Sequence, residues 1–260
     1  MQTNMMAEMT WVEYLRRLQT EQQTVLLPVG ALEQHGYHLP MGTDHFLPTA
    51  ICKGVAERIP AIVAPPIAYG YKSQPRMGGG NHFPGTTSLD GGTLTLVVRD
   101  IIKELGRHGG KKLAVMNGHC ENLFFAIEGI DLALRDLRFE GITDLKIVRF
   151  DYWDFTTPAT LDKCFPDGFP GFALEHAAVL ETSMGLHVFP DLVRIDSLVD
   201  DPAAVFPPYD VHPARTEWVP PSGVLSPAKG ASAEKGKMLF DEYVDRISEA
   251  LRKEFVETDK

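Results

Sequence analysis

TVLLPVG, residues 24–30, follows the polar stretch Glu21-Gln22-Gln23 and is apolar at both alternating sets of positions. A strand with one wet face alternates polar and apolar residues, so a run with neither face polar belongs in a sheet covered on both sides. Ala61–Ile67 (AIVAPPI), Lys112–Asn117 (KLAVMN) and Leu145–Asp151 (LKIVRFD) have the same character. Between them, Leu47–Ile59, Thr93–His108 and Asn122–Phe139 repeat apolar residues at helical spacing. This alternation predicts an α/β fold with a mainly parallel sheet. Thr10 is a candidate N-cap for an early helix through Leu18, and Ala231–Phe255 reads as a closing amphipathic helix. Tyr69–Asp90 and Val205–Ser226, rich in Gly, Pro and aromatics, are too long for simple connectors and predict binding loops or lids. Residues 1–260 read as one domain.

Composition removes several function classes. The chain has 25 Lys+Arg against 35 Asp+Glu, a net charge of −10, and no basic stripe of the kind that nucleic-acid binding needs. No run of about 18 apolar residues is present, so no membrane span is expected, and the N-terminal stretch lacks a signal-peptide pattern. Three scattered cysteines, Cys52, Cys120 and Cys164, make no disulfide framework and fit a reducing cytoplasm.

Two short motifs lie directly after strands. Glu33-Gln34-His35 follows the first, with Asp44 nine residues beyond His35, and His119-Cys120-Glu121 follows Lys112–Asn117. Ligands of open α/β sheets bind beyond the carboxyl ends of the strands, where both motifs sit. In extended backbone, residues two apart share a side, so Glu33 can face with His35 and His119 with Glu121. With Asp44 they make a five-member oxygen and nitrogen set, enough for two divalent ions sharing a carboxylate. Imidazole and carboxylate suit Zn²⁺ or Mn²⁺, and a two-ion site points to metal-assisted hydrolysis. Either motif alone is common; their joint position after strands is what carries the reading.

Leu27–Pro48 (LPVGALEQHGYHLPMGTDHFLP), Gly78–Asp90 (GGGNHFPGTTSLD) and Met116–Asn122 (MNGHCEN) resemble the creatininase (creatinine amidohydrolase) family. The likeness continues through Glu128–Arg135, Tyr152–Phe155 (YWDF), Glu175-His176, Glu181–Ser183 and Phe206–Val211 (FPPYDV), covering most of the chain. The resemblance implies a three-layer αβα domain with a binuclear metal centre, assembled as a homo-hexamer. Glu33 and His119 would bind one metal, His35 and Glu121 the other, and Asp44 would bridge them. His176 and Glu121 would be catalytic, with Glu175 or Glu181 orienting His176, and Trp153 would close over a small cyclic substrate. The implied reaction is creatinine plus water to creatine.

Departures from the family pattern fall among the substrate contacts. A Trp-Asp pair is replaced by Phe172-Ala173, a tyrosine by Cys120 and a serine by Met77. These losses of polar groups leave a second expectation, another compact ring such as a different cyclic amide or a cyclic ketone. Cys120 reads as pocket wall, not nucleophile; His45 as support to Asp44 or as packing; and His82 as a loop residue. Gly78–Gly80 lacks the following motif of a phosphate cradle.

Overall fold

The computed structural model describes residues 3–256. Strands β1 (Thr24–Val29), β2 (Ala61–Val63), β3 (Lys112–Asn117) and β4 (Lys146–Asp151) form one parallel sheet in the order β2-β1-β3-β4. The helices are α1 (Trp11–Leu15), α2 (Thr43–Ala56), α3 (Gly91–Arg107), α4 (Leu123–Phe139), α5 (Pro158–Cys164), α6 (Val179–Val188) and α7 (Ala233–Val256).

The two-residue period of the strands sorts their side chains into two cores. Val25, Leu27 and Val29 of β1 and Leu113 and Val115 of β3 pack with α3 and α4 through Leu94, Val98, Ile102, Ala133 and Leu137. Leu26, Ala114 and Met116 face the other way, toward Ile51 and Val55 of α2, Leu180 and Met184 of α6, and Leu239 and Tyr243 of α7. The result is the expected three-layer αβα arrangement. From β1 the chain runs outward through α2 to β2, then returns through α3 to β3 on the opposite side. Crossovers of one hand that run in opposite directions put α2 on one face and α3 on the other. The sheet direction therefore reverses between β1 and β3, and the crevice at a sheet's carboxyl edge opens at such a point.

Thr10 caps α1 as its sequence predicts, its hydroxyl accepting from Glu13 N at 3.3 Å, but the helix then widens into a π turn over Arg16–Thr20. Strand β2 stops at Val63, because Pro65 and Pro66 cannot donate to a ladder, and Ile67 rejoins β1 only at an isolated bridge to Val29. Helix α2 begins at Thr43, four residues before the expected Leu47, so Asp44 lies in its first turn. Pro48 falls inside α2 and has no N–H to return to the Asp44 carbonyl. Helix α6 escapes sequence reading because it is buried on nearly every side and has no polar stripe to mark a helical period.

Two glycines fix how closely α2 approaches the sheet. A Cβ built at Gly30, just past β1, or at Gly118, just past β3, would lie 2.3 Å from the Asp44 carbonyl oxygen. Gly30→Ala and Gly118→Ala are expected to destabilise the fold by about 1–3 kcal/mol through overpacking. At Gly92 in α3 a Cβ would meet nothing within 4 Å, so Gly92→Ala should be neutral or stabilising by up to about 1 kcal/mol. Denaturant unfolding midpoints of the three variants check this contrast.

Candidate metal centre

The segment after β1 brings in Glu33, Gln34 and His35, the first turn of α2 brings Asp44, and a 3-10 turn over Cys120–Asn122 after β3 brings Glu121 beside His119. Asp44 is the centre of the group. Its Oδ1 lies 2.9 Å from His35 Nε2 and its Oδ2 lies 3.1 Å from His119 Nδ1. His119 Nδ1 is also 2.9 Å from Glu33 Oε2, and His35 Nε2 is 3.6 Å from Glu181 Oε2. Glu33, His35, Asp44 and His119 are each at most 4% exposed.

The opposite ring nitrogens are committed to backbone. His35 Nδ1 donates to the Glu33 carbonyl at 3.1 Å and His119 Nε2 to the Tyr71 carbonyl at 3.0 Å. Each imidazole thus turns its other nitrogen toward the carboxylates in a fixed tautomer, as metal-ligating histidines do. Two buried asparagines brace the crevice. Asn117 Nδ2 donates to His119 O and to Asp151 Oδ1, both at 2.7 Å, while Asn122 Nδ2 donates to Gly30 O at 3.0 Å and its Oδ1 accepts from Tyr71 N at 2.8 Å. Sequence reading missed both, although they flank the His119 motif on either side.

Three overlapping trios have potential ligand atoms within 4.8 Å of one another: Glu33 with Asp44 and His119, His35 with Asp44 and Glu181, and Glu33 with His35 and His176. Glu33 Oε1, His35 Nε2 and Asp44 Oδ2 are buried without a well-directed hydrogen bond. Buried polar atoms are nearly always satisfied, so three orphans in one cluster fit a site shaped for cations.

The electrostatics agree. Burial alone would lower the His35 pKa, but the Asp44 and Glu181 carboxylates outweigh it and hold it well above the ordinary value. His119 is likewise raised, with Glu121 and Glu33 outweighing burial. Burial pushes Glu33 up to about 8, whereas on Asp44 the pull of His35 and His119 outweighs burial and lowers the carboxyl. Without metal, protons on the imidazoles balance the clustered acids.

The remaining predicted residues divide. Spacing puts Glu121 with His119, and its Oε2 lies 3.5 Å from His119 Nε2 while Oε1 accepts from Gln74 N at 2.8 Å; beside His35, where the resemblance implies Glu121, stands Glu181, from far along the chain. The His176 ring stands 4.4 Å from that of His35. Neither Glu175 nor Glu181 holds it: His176 Nε2 donates to the Gln34 main-chain oxygen at 2.8 Å. Glu175 and Glu181 are occupied by Leu180 N and Ala177 N at the start of α6. Burial and the neighbouring His35 cation push His176 well below its usual pKa, so it rests neutral.

A cleft of about 640 Å³ opens on the cluster, lined among others by Met77, Cys120, Trp153, Phe172 and His176. Cys120 Sγ lies 3.7 Å from Met77 Sδ, and burial pushes the thiol up to about 12, which suits a wall residue better than a nucleophile. Ala173 lies elsewhere, on an adjoining cleft that shares Met77 and Glu121. His45 Nδ1 donates to Ala31 O at 3.3 Å, and His82 packs on Phe83.

Residues 7–251 match the family model for creatininase, creatinine amidohydrolase. The chain is 55% identical over 252 residues to a creatinine amidohydrolase of Pseudomonas putida, covering 96% of this chain and 97% of that one. A solved manganese form of creatininase superposes with a TM-score of 0.96 at 54% identity, covering 98% of this chain and 100% of that one. A mutant creatininase described as Zn-Zn type gives a TM-score of 0.96 at 53% identity with the same coverage. Matched by the family model over residues 7–251 and by these relatives over nearly its whole length, the chain belongs to the creatininase family.

Proposed function

We propose that this chain is a binuclear-metal amidohydrolase that opens creatinine with water to give creatine. The observation that carries the reading is the Asp44 carboxylate, which offers one oxygen toward His35 and the other toward His119. In that arrangement Glu33, Asp44 and His119 would hold one divalent ion, and His35, Asp44 and Glu181 would hold the second. Glu121 flanks the first site, with an oxygen 3.5 Å from His119 Nε2. The donor set of nitrogen and oxygen suits zinc or manganese, the metals named for the related structures.

When bound, the ions polarise the lactam carbonyl and acidify the attacking water. The protein's own groups move the protons. Glu121, facing the cleft, accepts a proton from the water as it attacks the carbonyl carbon. His176 begins neutral with its Nε2 proton committed to Gln34 O, so its free Nδ1 can take up the proton that Glu121 removed from water and pass it to the ring nitrogen as the C–N bond breaks. Met77, Cys120, Trp153 and Phe172 enclose the ring, with Trp153 closing over it. High identity to the Pseudomonas enzyme favours creatinine over another compact ring.

The family match over residues 7–251 supports reading the chain as a single functional unit. Assembly as a homo-hexamer follows from the family resemblance, with Trp11 and Phe124, each 75% exposed, and Phe139 at 84% free to serve subunit contacts. A cytoplasmic location is supported by three cysteines that are all free. No described helix is long and apolar enough to cross a membrane.

Complete chelation should abolish creatine formation from creatinine, and added Mn²⁺ or Zn²⁺ should restore it; turnover that survives full metal removal would contradict the proposal. Metal binding should also release protons. His35 and His119 hold protons in the metal-free protein because their pKa values are raised, so acid competes with metal and affinity rises with pH. Calorimetric titrations in two buffers of different ionisation enthalpy should therefore give different apparent heats.

A further inference from the structure

Met77 stands between two clefts. It lines the one over the metal cluster and also the adjoining one of about 910 Å³, a position it shares with Glu121. Glu121 is fixed by the bond from Gln74 N, while the Met77 side chain reaches across to Cys120, the two sulfurs 3.7 Å apart. Three departures from the family pattern therefore meet at one boundary. Met77 and Cys120 form the partition, and Ala173 lines its outer side.

The backbone of Met77 is under strain. Its φ of +83° with ψ of −43° lies where L side chains are rarely found. Glycine adopts such a conformation freely, and three glycines follow at once, Gly78–Gly80. A side chain kept at a strained position points to a use for that side chain. A long, unbranched thioether fills irregular gaps, and the gap at Met77 is the opening between the two clefts.

The outer cleft has its own chemistry. Arg76 and Arg215 bring two guanidinium groups, and Arg215 lies over Trp218 with its Cζ 5.6 Å from the ring centroid. Asp210 is the carboxylate of the same wall that meets Arg76, at 3.6 Å, whereas Glu217, 3.9 Å from Arg215, is off that wall. Guanidinium groups bond carboxylates through paired N–H groups, and the indole adds a planar face. A side chain ending in a carboxylate suits this lining.

We propose that Met77 is the specificity-determining residue that limits this enzyme to small rings: it shuts the metal cleft off from an outer subsite that would otherwise receive an acidic side chain on a cyclic amide. The inference rests on the reading of this chain as a hydrolase of creatinine. The reaction is unchanged. The lactam C–N bond breaks, and water gives its hydroxyl to the carbonyl carbon and its proton to the ring nitrogen.

The test compares metal-loaded wild type with Met77→Gly, the replacement that a φ of +83° favours. Its substrates are creatinine, creatinine carrying a carboxybutyl chain in place of its N-methyl group, and the uncharged pentyl counterpart. The methyl-bearing nitrogen lies opposite the bond that breaks, so the chain leaves the carbonyl free. Wild type is expected to favour creatinine over both extended rings by about a hundredfold or more in kcat/KM. In Met77→Gly, with metal content unchanged, that ratio should fall by about tenfold or more for the carboxybutyl ring and by less for the pentyl ring. Adding Arg215→Gln to Met77→Gly should remove the difference between the two. An unchanged ratio in Met77→Gly would overturn the partition, as would wild type that turns over the extended rings as readily as creatinine. Equal gains on the acidic and uncharged rings would overturn the outer subsite. If Met77→Gly fails to fold, Met77→Asn takes its place, because asparagine also tolerates a positive φ. If metal-loaded wild type leaves creatinine untouched, the hydrolase reading fails and calorimetry decides the partition by itself. The carboxybutyl ring should then bind Met77→Gly about tenfold or more tightly than wild type, and equal affinity would overturn the proposal.

Discussion

The contact on which this site depends is the Asp44 carboxylate held between His35 and His119. One imidazole arrives on the segment after β1 and the other after β3, so no local stretch of chain can build the pair. They meet because β1 and β3 are neighbours at the point where the sheet direction reverses. Asp44 reaches between them because α2 starts early enough to carry it in its first turn, and because Gly30 and Gly118 leave room for its backbone. Remove either glycine's empty space and the helix must shift, taking the shared carboxylate with it.

A second constraint is electrostatic. Glu33, Asp44 and Glu181 come within a few ångströms of the two imidazoles, and Glu33 and Asp44 are nearly without solvent. Like charges so placed cannot all stay ionised in a low-dielectric site unless cations join them. Protonated His35 and His119 serve that purpose in the free protein, and two divalent ions would do it more completely. The acid excess that first spoke against nucleic acid is in part concentrated here. The same logic applies to Glu175, whose carboxyl is pushed up to about 8 by burial.

Much of this architecture is legible in the sequence. Residues 24–30 and their three counterparts announce buried parallel strands, and glycine-flanked His and Glu pairs after two of them announce the site. What stays hidden has physical causes. Glu181 sits on a helix buried on nearly every side, where no amphipathic period marks it, and it comes from far along the chain. The bond from Gln74 N to Glu121 is equally hidden, because the chain turns into a 3-10 helix at Cys120 and Gln74 lies in a distant loop. His176 Nε2 is met by the Gln34 main-chain oxygen at 2.8 Å as well as by the Gln34 side-chain Nε2 at 2.9 Å, and the backbone acceptor leaves no mark on residue identity.

The proposed site stands or falls on Asp44 binding two metal ions through separate oxygens. Anomalous X-ray diffraction from crystals loaded with zinc or manganese tests it most directly. Two peaks about 4 Å apart are expected, one contacted by His35 and the other by His119, with one Asp44 oxygen on each. A single fully occupied peak, or a pair in which Asp44 touches only one ion, would contradict it.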